Sequence, residues 1–322
     1  MEIRWGLNEL PGLLAELGIA QPFLVASDRW SPDRLPVEVA GVWSEVPSDR
    51  IDDAVEAANA GDGLLALGGG SAIDLTKAIS AGSGLPMVSL PTTYSGSEWT
   101  DFFGVRDSNR RMRGGGSGAT LAGVVYEPEL TIGLPREETV GTALNALAHS
   151  AEAFYVKGRS GRGDRHAFTG ARPISYALPL VVDDPGSRYA RTRLLEGAMR
   201  SGMALAEAGM GLGHAMAQAI GGRYGLPHGA LNAVTLPPAL RFNEPVAATE
   251  IARFGEAMST DDPVGRVEEL AGLGGFGRLR DLGVPEDELG EVAEAAAARP
   301  AARANPRPAT APEIEELLRS VW

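Results

Sequence analysis

Over the first part of the chain, short uninterrupted apolar runs alternate with segments whose apolar residues recur every three or four positions. PFLVAS (22–27), GLLALGG (63–69) and PMVSLP (86–91) read as buried strands. Between them, IDDAVEAANA (51–60) and SAIDLTKAISA (71–81) carry the helical spacing. Strand alternating with helix predicts a parallel α/β sheet, and such sheets bind ligands at the carboxyl ends of their strands.

The pattern changes after VVYEPELTIGLP (124–135). TVGTALNALAHSAEAFYV, SRYARTRLLEGAMRSGMALAEA, LGHAMAQAIGGRY and ALNAVTLPPALRFN all have helical periodicity. This predicts a dinucleotide-binding α/β domain over 1–135 and an all-helical domain over 136–322. Two stretches lack periodicity. GRSGRGDRHAFTGARP (158–173) is rich in Gly and Arg and reads as a mobile loop, with His166 in solvent. AAAARPAARANPRPATAP (295–312) is broken by proline and reads as an extended linker before a last short helix, EIEELLRSVW. No internal repeat is evident.

With 322 residues, 44% of them hydrophobic, the chain can build two compact domains. It contains no cysteine, which excludes a disulfide framework, a thiolate nucleophile, Cys-ligated zinc and iron–sulfur clusters. Any metal must be held by His, carboxylate or amide. The balance of 29 Lys+Arg against 42 Asp+Glu, net −13, repels polyanions and argues against nucleic-acid and anionic-membrane partners. The N-terminal residues lack the charged start and apolar core of a secretory signal, and no apolar run approaches a membrane span, so the expected compartment is the cytoplasm.

Gly68, Gly69, Gly70 and Ser71 follow a strand and open a helix that continues through Asp74 and Lys77. Glycines let backbone approach a phosphate, and the free amides of a helix N-terminus attract the anion; a plain tight turn uses the same residues. Thr92, Thr93, Ser95 and Ser97 put hydroxyls after the next strand, at the same sheet edge, where they can serve a diphosphate or simply cap a turn. Asp28 lies just beyond PFLVAS, where a carboxylate can accept from a ribose diol and repel a 2′-phosphate, favouring NAD(H) over NADP(H).

The four histidines are His149, His166, His214 and His228. Asn145 and His149 are four apart, as are His214 and Gln218, so each pair shares a helix face. His228 lies in GLPHG. Three imidazoles with one oxygen donor suit zinc or iron with an open position for substrate. Spacing alone does not bring the three together.

Taken in order, GGGSAIDLTKA, PTTYSGSEWT, YEPELTIGLP, NALAHSAEAFY, GMGLGHAMAQAIGGRYGLPHG and LPPALRFN resemble the iron-containing alcohol dehydrogenase superfamily. PTTYSGSE and NALAH are most similar to its maleylacetate reductase branch. The resemblance implies a dehydroquinate-synthase-like fold, a dinucleotide-binding domain and a helical domain around a cleft, and a homodimer. It implies that Gly68, Gly69, Gly70, Ser71 and Asp74 hold the cofactor diphosphate and ribose, with Thr92, Thr93 and Ser97 alongside. In metal-binding relatives an Asp and three His hold Fe2+ or Zn2+, and the matching positions here are Asn145, His149, His214 and His228.

Three positions depart from the family pattern. Asn145 replaces the ligand aspartate, and a neutral amide oxygen weakens divalent-metal affinity. Gln218 stands where relatives have a further histidine near the nicotinamide, and Gln cannot relay a proton at neutral pH. Pro238 stands where a relative often has His.

The expected activity is NADH-dependent reduction of a carbonyl in a keto acid or aldehyde, maleylacetate included. His149, His214 and His228 would stabilise the developing alkoxide directly or through a metal. Arg106, Arg113 or the arginines of 158–173 are candidates for a substrate carboxylate. The alternatives are a metal-dependent alcohol dehydrogenase acting on an uncharged or peptide-linked substrate, a lyase like dehydroquinate synthase, and a non-catalytic binding relative.

Overall fold

The computed structural model describes residues 1–322. The chain divides into two compact units. One comprises Met1–Thr93 with Ser97–Gly133, the other Tyr94–Gly96 with Leu134–Trp322.

In the first unit β1 (Glu2–Trp5), α1 (Leu10–Glu16), β2 (Pro22–Val25), β3 (Gly41–Trp43), α2 (Ile51–Ala58), β4 (Gly63–Gly68), α3 (Gly70–Ser83) and β5 (Pro86–Pro91) follow one another. A hairpin, β6 (Phe103–Arg106) with β7 (Met112–Gly116), precedes β8 (Thr120–Tyr126). Six strands form one sheet in the order β1-β8-β5-β4-β2-β3, every pairing parallel. The apolar runs of β2 and β4 are buried throughout, since helices cover a parallel sheet on both faces. One face packs Leu24, Leu65, Leu67, Val88 and Leu90 with Leu10, Leu13 and Leu14 of α1. The other packs Phe23, Val25, Leu64 and Ala66 with Ala54 of α2 and Ile73 and Ile79 of α3. Strands β1 and β3 are short sheet-edge strands without a continuous apolar run, which is why the hydrophobic pattern passes over them.

The second unit is helical: α4 (Arg136–Ala153), α5 (Gly161–Asp183), α6 (Arg188–Ala208), α7 (Leu212–Tyr224), α8 (His228–Met258), α9 (Pro263–Gly272), α10 (Leu289–Ala297), α11 (Pro300–Ala304) and α12 (Ala311–Ser320). Fourteen residues of α4 are buried, Thr139–Gly141 and Ala143–Ala153, which makes it the central helix of the unit. The long α8 contains Pro237, Pro238 and Pro245, and its backbone leaves the helical region at Ala247, two residues after the third proline.

Two expectations are corrected here. The Gly/Arg-rich 158–173 stretch is not a loop: most of it is the first half of α5, started by Ser160, whose hydroxyl accepts from the amide of Gly163 at 3.0 Å. Its glycines are contact points. A Cβ on Gly170 would lie 2.6 Å from Ser201 Oγ of α6, and one on Gly197 would lie 3.0 Å from the carbonyl oxygen of Gly170. Close approach of two backbones, rather than an apolar stripe, holds this turn of helix. His166 rides on it half-buried instead of standing in solvent, and burial pushes its pKa down.

Residues 295–312 are likewise no linker. They include the end of α10, all of α11 and the capping box of α12, in which Thr310 and Glu313 satisfy each other's backbone amides. Ala301, Ala302 and Ala309 join a core with Leu212, Met216 and Leu231. Asn305, fully buried, exchanges hydrogen bonds with Asn243 at 2.6 and 3.0 Å.

Candidate functional site

In the first unit the parallel register carries Asp28, the glycine turn and the threonines to one edge of the sheet. Gly68 at the end of β4 pairs with Pro91 of β5, and Val25 at the end of β2 pairs with Ala66. The turn is tight. A Cβ on Gly68 would meet that of Ala72 at 2.7 Å, and one on Gly69 would meet Thr93 Cγ2 at 2.7 Å. Gly69 caps α3: its carbonyl accepts from the amides of Ala72 and Ile73, and the amides of Gly70 and Ser71 open the helix. Beside them Thr92 and Thr93 are buried, and neither hydroxyl has a hydrogen-bond partner. Buried hydroxyls without partners next to a glycine turn and a helix N-terminus fit a dinucleotide diphosphate, which would accept from both. Asp28 is exposed past the end of β2.

Asp74 and Ser97 do not stand open in the same way. Ser97 donates to Asp74 Oδ1 at 2.6 Å, and the Asp74 Oδ2 oxygen accepts from the Gly104 amide at 3.3 Å. Lys77, fully buried, sets this arrangement: Nζ reaches Asp74 at 3.1 Å, Ser97 at 2.9 Å, Thr100 at 3.3 Å and the Phe102 carbonyl at 3.0 Å. The hairpin and the segment before it are thereby tied to α3. A second buried group lies nearby in the chain. Tyr126 donates to Glu98 Oε1 at 2.7 Å and accepts from Trp99 Nε1 at 2.8 Å. Burial raises the Glu98 pKa, and its other oxygen has no partner.

In the second unit three helices each contribute a pair of polar residues four positions apart: Asn145 and His149 on α4, His214 and Gln218 on α7, His228 and Asn232 on α8. The imidazoles of His149 and His214 stack with centroids 4.7 Å apart and planes 14° from parallel, and His228 lies 5.8 Å from His214 at 49°. The three histidines, unlinked by spacing alone, therefore form one cluster. Burial, then the neighbouring His214 and His228, pushes the His149 pKa well below its ordinary value. His149 Nδ1 and His214 Nε2 are buried without hydrogen-bond partners.

The residue missing from the sequence reading is Glu152. It lies one turn beyond His149 on α4, wholly buried. Oε2 accepts from the Gly211 amide at 2.6 Å and meets His214 Nδ1 at 2.6 Å, while Oε1 accepts from the His214 amide at 3.1 Å. A Glu three residues after a His in an otherwise small and apolar segment, HSAEAF, was the available signal.

The four positions that match the family's metal ligands do not form a coordination sphere as they stand. The Asn145 side-chain oxygen accepts from Asn232 Nδ2 at 2.7 Å, and its amide donates to the Ser95 carbonyl at 2.9 Å. No group of three or more His, Asp or Glu side chains is arranged to hold a metal ion. Gln218 is held too: its Oε1 accepts from Arg299 at 3.3 Å and its backbone carbonyl from the same guanidinium at 3.1 Å.

The arginines proposed for a substrate carboxylate mostly serve acids of the chain itself. Arg113 pairs with Asp107 at 2.5 Å, Arg159 with Glu250, and Arg162 with Glu207 at 3.2 Å. Arg106 donates to the Arg110 carbonyl at 3.0 Å.

A glycine turn at the sheet edge and a buried histidine cluster are features an oxidoreductase can use, and comparison with known proteins gives the class. Residues 6–125 match the iron-containing alcohol dehydrogenase family model, and residues 139–322 match the C-terminal model of the Fe-containing alcohol dehydrogenase family. Maleylacetate reductase of Burkholderia cepacia is 37% identical over 280 residues, 86% of this chain and 79% of that protein. That of Sphingobium indicum is 34% identical over 276 residues, 85% and 78% of the two. The crystal structure of maleylacetate reductase from Agrobacterium tumefaciens superposes with a TM-score of 0.89 at 31% identity, covering 100% of this chain and 95% of that one. An iron-containing alcohol dehydrogenase from Corynebacterium glutamicum gives 0.92 at 30% identity, covering 100% and 94%. The chain belongs to the iron-containing alcohol dehydrogenase family. It is an NAD(P)H-dependent oxidoreductase with a small-molecule substrate. No helix is long and apolar enough to cross a membrane.

Proposed function

We propose that the protein reduces the carbonyl group of a small keto acid of the maleylacetate type, with NADH preferred over NADPH. The stacked pair His149 and His214, each with a buried ring nitrogen lacking a partner, carries this reading. Buried polar atoms are otherwise nearly always satisfied, so unpartnered nitrogens await a polar ligand. Similarity to maleylacetate reductases supports the substrate class.

Gly68, Gly69, Gly70 and Ser71 hold the cofactor diphosphate with the hydroxyls of Thr92 and Thr93. Asp28 accepts from the ribose diol and repels a 2′-phosphate, and Asp74, kept in place by Lys77 and Ser97, borders the same site. Reduced nicotinamide, when bound, supplies a hydride to the carbonyl carbon. His149, His214 and His228 face the oxygen, where hydrogen bonds stabilise the negative charge that develops and a proton is delivered. Asn145 spends its side-chain oxygen on Asn232, so the imidazoles themselves carry the chemistry proposed here. The working form is a homodimer, checked by light scattering against the 33.6 kDa chain mass, and the compartment is the cytoplasm.

The test is NADH oxidation by metal-stripped protein against maleylacetate, other keto acids and neutral aldehydes, repeated with zinc or ferrous iron. Keto-acid turnover without added metal is expected. Turnover of neutral aldehydes alone, and only with metal, would replace this reading with that of a metal-dependent alcohol dehydrogenase.

A further inference from the structure

Arg106 is a cation beside Asp74 that no acid of the chain pairs with. It ends β6, and strand alternation puts its side chain on the same face as Gly104. That face looks at α3: the Gly104 amide donates to Asp74 Oδ2 at 3.3 Å, and a Cβ on Gly104 would lie 4.0 Å from the same oxygen. Met112, opposite Arg106 in β7, shares the face, its Cε 3.0 Å from that Cβ position. The pairing of the two strands shifts between Val105 and Arg106, and such bulges re-aim side chains. Arg106 is half-buried here; burial lowers its pKa, against the pull of Asp74.

The acids nearby are already engaged. Asp74 meets Lys77 Nζ at 3.1 Å and the Ser97 hydroxyl at 2.6 Å, and the other partners of that buried ammonium are hydroxyls and a carbonyl. Asp107 is taken by Arg113 and by the amides of Asn109 and Arg111. One carboxylate, Asp74, therefore stands between two cations. Arg106 NH1 donates to the Arg110 carbonyl at 3.0 Å, where Arg110 turns the hairpin at φ 62°. Its Nε and NH2, the edge that fits a carboxylate with two parallel hydrogen bonds, are left over.

From this arrangement we propose that Arg106 selects the substrate, its Nε and NH2 edge binding a carboxylate of the keto acid beside the cofactor. The inference rests on the carbonyl-reductase reading and adds to it the group that separates an acid from a neutral carbonyl compound. The cofactor diphosphate has its own donors, the amides that open α3 and the hydroxyls of Thr92 and Thr93. In a chain of net charge −13, a small anion is drawn in only where positive charge is locally in excess.

Two measurements test this, one of which needs no turnover. Succinate, with succinamide as its uncharged counterpart, is titrated by calorimetry into protein saturated with NAD+. The wild type is expected to bind succinate and not succinamide. Arg106→Gln is expected to bind succinate about 10- to 150-fold more weakly, the loss of a charge-assisted contact, and Arg106→Lys, which keeps the charge without the fork, to fall between the two. In NADH oxidation by Arg106→Gln, KM for the keto acid should rise by the same factor with kcat within about threefold, so that the preference for keto acids over neutral aldehydes falls. NADH affinity, titrated by fluorescence, should change by less than about threefold.

Equal succinate affinity in the wild type and Arg106→Gln would overturn the proposal, as would a wild type that binds no succinate. A loss of NADH affinity as large as the loss of succinate affinity would also overturn it, by giving Arg106 to the cofactor phosphates. If no carbonyl is turned over while succinate binding still depends on Arg106, the carboxylate site stands and the reductase reading fails by itself. Keto-acid turnover with an unchanged KM in the variant does the reverse. If Arg106→Gln does not fold, Arg106→Lys decides by the same titration.

Discussion

Asn232 donates from Nδ2 to the side-chain oxygen of Asn145 at 2.7 Å, and Asn145 in turn donates to the Ser95 carbonyl at 2.9 Å. This chain of amides needs a donor at position 145. Asn145→Asp would set a carboxylate oxygen against the Ser95 carbonyl, and leaving buried groups mismatched costs about 1–3 kcal/mol. The variant is therefore expected to melt several degrees below the wild type in EDTA. If the new anion completes a metal site, zinc returns part of that loss in the variant and not in the wild type. Thermal melts with and without zinc check both points, and an equal zinc effect in the wild type would contradict the arrangement described here.

Thr92 offers a cleaner probe of the cofactor site, because its buried hydroxyl has no protein partner. Thr92→Val keeps the shape and removes only that donor. NADH affinity, read by fluorescence titration, is expected to weaken by about 2- to 13-fold, the equivalent of one hydrogen bond of about 0.5–1.5 kcal/mol. Stability without cofactor should hold or rise. Unchanged affinity would remove Thr92 from the site.

Glu98 predicts a pH dependence of stability. Burial raises its pKa above 4.5, so the native state keeps the proton that the unfolded chain releases. The stabilisation from this neutral acid is complete below pH 4.5 and is lost as pH rises through the higher native value. Glu98→Gln cannot ionise and still accepts from Tyr126. It is expected to match the wild type near pH 4 and to melt a few degrees higher at pH 8, by calorimetry at both values. A variant less stable at pH 8 would show that the charge is wanted there.

Lys77 is a buried ammonium with four acceptors around it. Lys77→Met leaves the Asp74 carboxylate and the Phe102 carbonyl without their cation. Removal of one partner from a buried pair costs about 3–5 kcal/mol. Denaturant unfolding should show a loss of that order, together with weaker NADH binding because Asp74 is no longer fixed.

Trypsin tests the helix at 161–183. Arg165 and Arg172 are exposed side chains on α5, and proteases need several residues in extended form. Under native conditions peptide mapping is expected to find no early cleavage at either residue. Rapid cleavage at Arg165 would restore the mobile loop.

The strands at 22–25, 63–68 and 86–91 could be read from the chain because burial on both faces demands continuous apolar runs. The glycine turn and the three cluster histidines were legible for a similar reason, being rare residues in constrained contexts. What escaped obeys other physics. Helix α5 packs through Gly170 against α6, and glycine has no hydropathy signal by which to announce a contact. Residues 295–312 look like a linker because their prolines stand at a helix start or between helices, while their alanines fill the core. Glu152 resembles any surface acid in sequence. Only the fold shows that α7 begins opposite it, with Gly211 and His214 as donors.

The three residues Tyr94–Gly96 belong to the helical unit although the chain on either side belongs to the sheet unit. Tyr94 is fully buried there and accepts from Arg191 at 3.0 Å, its own amide donates to Thr142 at 3.3 Å, and a Cβ on Gly96 would lie 3.2 Å from the backbone of Gly202. The helical unit thus includes a three-residue piece drawn from the middle of the sheet unit's sequence. A fragment ending at Gly133 would carry a stranded Tyr94, and the complementary fragment would keep an unfilled slot beside Arg191. Neither half of the sequence, cut at Gly133, is therefore a natural unit for separate expression.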